Sequence, residues 1–228
     1  MVAIYDCSVD AQLLEGMRLA RGALGRGELV VLPTDTVYGI AADAFRPGAV
    51  VRLLEVKGRT QASPPPVLIP DLATLDALAA EVSEPVRQLA AAFWPGGLTI
   101  IVPAQPSLQW HLGQTHGTVA LRMPAHPVTL ELLAETGPLA VSSANRSGNP
   151  AAVSVQMAAE ALGDDVAVYL DGGLAGRDYD AAGERLGDTS STILDATGLA
   201  NGGMLRVIRP GVISREQILG IVGQDLLA

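Results

Sequence analysis

The stretch Leu29-Val30-Val31-Leu32-Pro33-Thr34-Asp35-Thr36-Val37-Tyr38-Gly39 sets four aliphatic residues directly before a proline and a run of hydroxyl, carboxylate and glycine groups. A short β-prone run bounded by turn formers reads as a buried strand. Its polar tail then lies at a strand end, where open α/β sheets place ligands. The same residues also suit an ordinary turn in which Thr and Asp cap the next element, and the segment alone leaves both readings open.

On either side of it the pattern is helical. Leu13, Leu14, Met17, Leu19 and Ala20 recur at helical spacing over residues 9–24, and Gly25 and Gly27 end that run. Residues 47–56 read as a second helix, with Pro47 in the first turn and Lys57-Gly58-Arg59 at the C-terminal end. Ser63-Pro64-Pro65-Pro66 must be extended, because each proline fixes its own φ and biases its predecessor away from α, and residues 67–69 continue as a strand. Further helices are expected at 71–78, 82–93, 127–135, 153–162 and 215–221, and strands at 98–102, 118–122, 139–142, 166–170, 191–194 and 205–208. Alternating strands and helices without internal repeats predict a single α/β domain around a twisted mixed sheet with flanking helices. Residues 172–187, rich in Gly, Asp and Arg, are the expected mobile loop.

Composition narrows the function classes. At 228 residues, 49% hydrophobic and 17% charged, the chain can bury a full core and is not a disordered segment. A net charge of −9 repels nucleic acid, so tight non-specific tRNA or DNA binding is not expected, although clustered cations can still build a local pocket for a small polyanion. The single cysteine, Cys7, forms no internal disulfide and supplies no zinc cluster. No apolar run approaches the roughly 20 residues of a membrane span, and the first residues do not read as a signal peptide, so a soluble cytoplasmic protein is expected. His111, His116 and His126 are not spaced to share a helix face, and no metal site is expected from them. There is no P-loop lysine motif and no G-x-G-x-x-G after a strand.

Three further features carry possible chemistry. Lys57 and Arg59 could both reach a polyphosphate, or could simply complement a helix dipole. Residues 141–150, Val-Ser-Ser-Ala-Asn-Arg-Ser-Gly-Asn-Pro, run from a buried strand into hydroxyls and amides that suit phosphate or ribose oxygens, or a plain turn. Arg122 and Arg209 stand at strand ends, where an arginine either pairs locally or converges on a ligand.

Read together, these segments resemble the YrdC family of threonylcarbamoyl-AMP synthases. The resemblance rests on residues 32–40, 54–59, 93–99, 119–124, 142–150, 191–195 and 208–211 in that order: Leu-Pro-Thr-Asp-Thr-Val-Tyr-Gly-Ile, Leu-Glu-Val-Lys-Gly-Arg, Phe-Trp-Pro-Gly-Gly-Leu-Thr, Val-Ala-Leu-Arg-Met-Pro, Ser-Ser-Ala-Asn-Arg-Ser-Gly-Asn-Pro, Ser-Thr-Ile-Leu-Asp and Ile-Arg-Pro-Gly. It implies a YrdC-like α/β fold whose twisted mixed sheet curls around a concave ligand pit. It implies a reaction in which threonine and bicarbonate give an N-carboxylated threonine whose carboxylate attacks the α-phosphate of ATP and expels pyrophosphate, for threonylcarbamoyladenosine modification of tRNA.

Carried over by motif position, Thr36, Arg122 and Val141 would hold threonine. Lys57, Arg59, Ser63, Thr118, Ser143, Asn145 and Arg209 would surround the nucleotide, with Lys57 and Arg59 neutralising charge during transfer. Magnesium would arrive with ATP, and the labile product implies hand-over to a threonylcarbamoyl transferase complex. Thr60, Leu68, Gly97 and Ala151 depart from frequent family residues, as do Pro65 and Pro66. Too few residues follow Gly211 for a second domain, so residues 212–228 read as a short C-terminal extension of one domain. The competing reading is a YrdC-like paralogue that binds nucleotide or RNA without synthase activity.

Overall fold

Leu29, Val30, Val31 and Leu32 are all fully buried, which requires packing on both faces of their strand. The computed structural model describes residues 2–179 and 189–228, and it shows how that packing is built. The strands are β1 (Ile4–Asp6), β2 (Val30–Leu32), β3 (Gly39–Asp43), β4 (Val67–Leu68), β5 (Leu98–Pro103), β6 (Thr118–Arg122), β7 (Leu139–Ser143), β8 (Val168–Asp171), β9 (Thr192–Asp195) and β10 (Arg206–Arg209). The helices are α1 (Asp10–Arg26), α2 (Pro47–Lys57), α3 (Leu72–Leu78), α4 (Glu84–Phe93), α5 (Pro127–Thr136), α6 (Val155–Leu162) and α7 (Arg215–Val222).

All ten strands join one sheet in the order β1-β8-β2-β3-β7-β4-β6-β5-β9-β10. It is mixed: β2 pairs parallel with β8 and antiparallel with β3, and β5 pairs parallel with β9 and antiparallel with β6. The fold class read from the sequence is the one observed.

Because strand side chains alternate, the two faces of β2 feed two different cores. Val30 and Leu32 pack with Met17 and Leu24 of α1 and Leu132 and Leu133 of α5. Leu29 and Val31 pack with Leu53 and Leu54 of α2 and Val155 and Ala158 of α6. This half of the sheet is covered on both sides.

The other half is not. Leu98, Ile100 and Val102 of β5 enter a third core with Val86 and Leu89 of α4 and Ile218 of α7. Thr99 and Ile101, on the opposite face of the same strand, line a cavity instead. A twisted sheet with helices on one side only here leaves a concave wall, and that wall is where the candidate site lies. Residues 212–228 also belong to this core: Val212, Ile213, Ile218 and Leu227 are buried in it, and the Leu205 N–H donates to the Leu226 carbonyl at 2.8 Å. The segment expected as an extension is thus built into the domain.

Candidate active site

The cavity, of about 280 Å³, is lined by the tail of β2, by β5, β6 and β7, and by the ends of β9 and β10. Thr34, Thr36, Arg59, Thr118, Arg122, Val141, Ser143 and Arg209 all contribute to its wall. A second cavity of about 400 Å³ shares Val37, Ser143, Ser190 and Arg209 with the first and adds Asn145, Asn149 and Ala151. With Gly39 of β3 and Leu68 of β4 also on the wall, residues from eight strands or strand ends converge.

The opening stretch forms the turn, and Thr34 and Thr36 within it line the cavity. Thr34 closes the turn, its hydroxyl donating to the Val37 carbonyl at 2.6 Å and accepting from the backbone N–H groups of Thr36 and Val37 at 3.2 Å each. Thr36 is thereby set against Arg122.

Arg122 is held through all three of its guanidinium nitrogens. Its Nε donates to the Gly96 carbonyl at 2.9 Å, its Nη1 to Thr36 Oγ1 at 2.9 Å and its Nη2 to Asp35 Oδ1 at 2.7 Å. A guanidinium has five N–H groups, so two remain for a ligand while the plane of the fork is fixed. Asp35 is held in turn: its Oδ1 accepts from the Ala125 N–H at 2.8 Å and its Oδ2 from the Tyr179 hydroxyl at 3.0 Å. Burial, followed by the Asp35 charge, pushes the Tyr179 phenol up to about 12, so it stays a donor.

Arg209 lies across the cavity, with Nε and Nη2 donating to the Ser191 carbonyl at 3.2 and 2.6 Å and Nη2 to Ser191 Oγ at 3.0 Å. Ser191 Oγ is 2.9 Å from Thr99 Oγ1, which ties β9 to β5 beneath it. Arg59 is exposed and anchored through Nε to Ser147 Oγ at 3.0 Å. Three guanidinium groups thus face one cavity of a protein whose net charge is −9.

Two of the residues singled out in the sequence are placed elsewhere. Ser63 is exposed and lines neither cavity, although Pro64, Pro65 and Pro66 beside it line the first. Lys57 also lies behind the wall, 1% exposed, with its Nζ donating to the Ser143 carbonyl at 2.5 Å, to Asn145 Oδ1 at 2.9 Å and to the Asn145 carbonyl. Burial, then the charge of Arg59, lowers its ammonium to about 7, while the ring of acceptor oxygens favours the protonated form. Asn145 completes the turn by donating from Nδ2 to the Asn149 carbonyl at 2.6 Å. Thr118 is on the wall, its hydroxyl donating to the Thr115 carbonyl at 2.7 Å.

The opening stretch contains Asp35 without giving it a role of its own, and no motif marks Tyr179. The only signal for Asp35 was its place between two threonines at a strand end, and Tyr179 belongs to the segment read as a mobile loop. Of that segment, residues 180–187 lie outside the described residues. Residues 172–179 are fastened: the Gly173 carbonyl accepts from the Tyr38 hydroxyl at 2.5 Å, the Ala175 N–H donates to the Val153 carbonyl at 2.9 Å and the Gly176 N–H to the Asp35 carbonyl at 3.2 Å.

The chain is similar to known proteins over most of its length. The Sua5/YciO/YrdC family, described as telomere recombination, matches residues 22–211. A Mycobacterium tuberculosis protein is 48% identical over 225 residues, covering 99% of this chain and 97% of its own. A threonylcarbamoyl-AMP synthase of Bacillus subtilis is 35% identical over 216 residues, which are 94% of this chain and 57% of that protein. The crystal structure of Pyrococcus abyssi Sua5 complexed with L-threonine superposes with a TM-score of 0.85 at 32% identity, and the alignment covers 100% of this chain and 62% of that one. The chain thus spans somewhat under two thirds of these two longer relatives and nearly all of the mycobacterial one. No helix among the described residues is long and apolar enough to cross a membrane. By the extent of the family match and the identity to its members, the chain belongs to the Sua5/YciO/YrdC family.

Proposed function

We propose that the chain is an L-threonylcarbamoyladenylate synthase, which forms threonylcarbamoyl-AMP and pyrophosphate from L-threonine, bicarbonate and ATP for tRNA modification. The observation that carries this reading is the fixed guanidinium of Arg122 in a cavity that also presents Arg59 and Arg209. One site then offers a rigid fork for a carboxylate and a separate pair of cations for a polyphosphate.

In this reading the two uncommitted N–H groups of Arg122 take the threonine carboxylate, and Thr36 and Val141 shape the space around the amino acid. Arg59, Arg209, Ser143 and Thr118 border the nucleotide, and Asn145 holds the turn that carries Ser143. The amine takes up bicarbonate carbon with loss of water, and an oxygen of the resulting N-carboxylate bonds to the α-phosphorus as the bond to pyrophosphate breaks. Two anions must meet, so fixed cations that need no reorganisation lower the barrier, and a shared cavity supplies the orientation.

Magnesium fits as a companion of ATP. Among the described residues no group of three or more His, Cys, Asp or Glu side chains gathers, and the wall offers hydroxyls and guanidinium groups. Such a wall suits an ion that keeps its waters and leans on phosphate oxygens, where it would neutralise phosphate charge. The labile product calls for a receiving threonylcarbamoyl transferase complex. The test is pyrophosphate release from ATP by the purified protein. Release that needs both threonine and bicarbonate supports the synthase, whereas release indifferent to either refutes it.

A further inference from the structure

Position 57 holds the only lysine of the chain; the other 14 of its 15 cationic Lys and Arg residues are arginine. That exception sits in an enclosure. Lys57 is 1% exposed, and its Nζ is surrounded by the carbonyl oxygens of Ser143 and Asn145, by Asn145 Oδ1 at 2.9 Å and by Ser143 Oγ at 3.4 Å. An ammonium is a compact charge with three donors, whereas a guanidinium is a flat fork of five that this ring of oxygens could not close around.

The same two segments are joined at other points. The Ser147 N–H donates to the Lys57 carbonyl at 3.2 Å, and Arg146 Nη1 donates to the Val56 carbonyl at 3.3 Å. These are carbonyls of the last turn of α2, which have no partners within their own helix. Gly58, at φ 65°, then reverses the chain, so that Lys57 enters the interior while Arg59 emerges at the cavity and binds Ser147 Oγ. Only a residue without a Cβ adopts that conformation freely.

We propose that Lys57 is a positioning residue, which clamps the turn 143–147 onto the end of α2 and so sets Ser143 and Arg59 on the cavity wall, without ligating phosphate itself. The inference deepens the synthase reading, because Ser143 and Arg59 are the groups that reading gives to the nucleotide. For Lys57 to reach a phosphate its Nζ must abandon the acceptors that now surround it.

A single lysine makes the test direct. The folded protein is acylated with an amine-reactive succinimidyl ester, with and without Mg·ATP, and Lys57 is followed by peptide mass spectrometry. The expected result is labelling at least about tenfold slower than in urea-unfolded protein and unchanged by Mg·ATP. Rapid labelling of the folded protein, whether or not Mg·ATP protects it, overturns the proposal. Lys57→Met is expected to lower the thermal midpoint and weaken ATP binding while folded protein retains its threonine affinity; a normal midpoint contradicts the clamp. Lys57→Arg is expected to restore neither property. Should Lys57→Met fail to fold, Asn145→Ala removes the side-chain oxygen that accepts from Lys57 and carries the same expectation. Labelling does not depend on turnover, so an inactive protein with a shielded Lys57 would refute the synthase reading and leave this one standing.

Discussion

Asp35 and Arg122 form an ion pair at 2.7 Å, with the Arg122 side chain 7% exposed and that of Asp35 4%. A buried pair of this kind is weak evidence for stability but strong evidence for fixed geometry, because breaking it strands a charge. Asp35→Asn keeps the shape and removes the charge. It is expected to destabilise the protein by about 3 kcal/mol in urea unfolding. It should also raise the KM for threonine by about 10- to 100-fold through misplacement of the fork, leaving ATP affinity intact. An unchanged threonine KM with weakened ATP binding would place Arg122 in the wrong subsite.

Arg59→Ala separates chemistry from stability. The side chain is exposed, so the unfolding free energy should stay within about 0.5 kcal/mol of the parent. Loss of a fixed cation at the transferring phosphate should lower kcat/KM for ATP by roughly 100-fold. A parallel loss of folded protein would show that the residue serves the fold.

Tyr38 fastens the segment that carries Tyr179. It is fully buried, its hydroxyl donates to the Gly173 carbonyl at 2.5 Å, and it accepts from the Gly172 N–H at 3.0 Å. Tyr38→Phe leaves both backbone groups without this partner and is expected to cost about 1–3 kcal/mol. Faster proteolysis after Tyr179 in the variant, measured against the parent, would confirm that the hydroxyl secures this segment. Identical cleavage would show that it does not.

His126 gives the stability a pH dependence. Among the described residues its buried Nδ1 has no hydrogen-bond partner, and burial lowers its pKa below the ordinary 6.5, against the opposing pull of Asp35 and a bond to the Gly172 backbone. The unfolded chain then binds the proton more readily than the folded one, so stability is present above pH 6.5 and is lost as pH falls through the range below it. His126→Asn is expected to flatten that part of the profile in thermal unfolding. A slope that survives the substitution would assign it to carboxylates.

Much of the fold is legible in the sequence because its elements have local signatures. The seven helices and eight of the ten strands of the described residues lie within two residues of the expected positions. β1 and β3 were not anticipated. β3 is Gly39-Ile40-Ala41-Ala42-Asp43, with only one β-branched residue, and it is a strand because of its neighbours. A Cβ on Gly39 would lie 2.6 Å from Val141 Cγ1, so glycine is what lets β3 lie beside β7 and keeps Val141 on the cavity wall. No pattern within the segment reports that constraint.

The site is legible to the extent that strand ends converge. Thr36 and Arg122, 86 residues apart, do meet, and Arg59, Thr118, Ser143 and Arg209 join them. The sequence could not say which way a side chain turns at a helix end. Lys57 and Arg59 look alike in Lys-Gly-Arg, yet the left-handed Gly58 sends one inside and the other to the cavity. Nor could it show that Asp35, beside Thr36, would orient a guanidinium contributed by a distant strand.

The most direct test is to incubate the protein with ATP, magnesium, L-threonine and ¹³C-labelled bicarbonate and to weigh the adenylates formed. The expected product is a threonine-containing adenylate that carries one ¹³C and is missing when threonine is omitted. ATP turnover that yields no such adenylate, or an adenylate without the label, would contradict it.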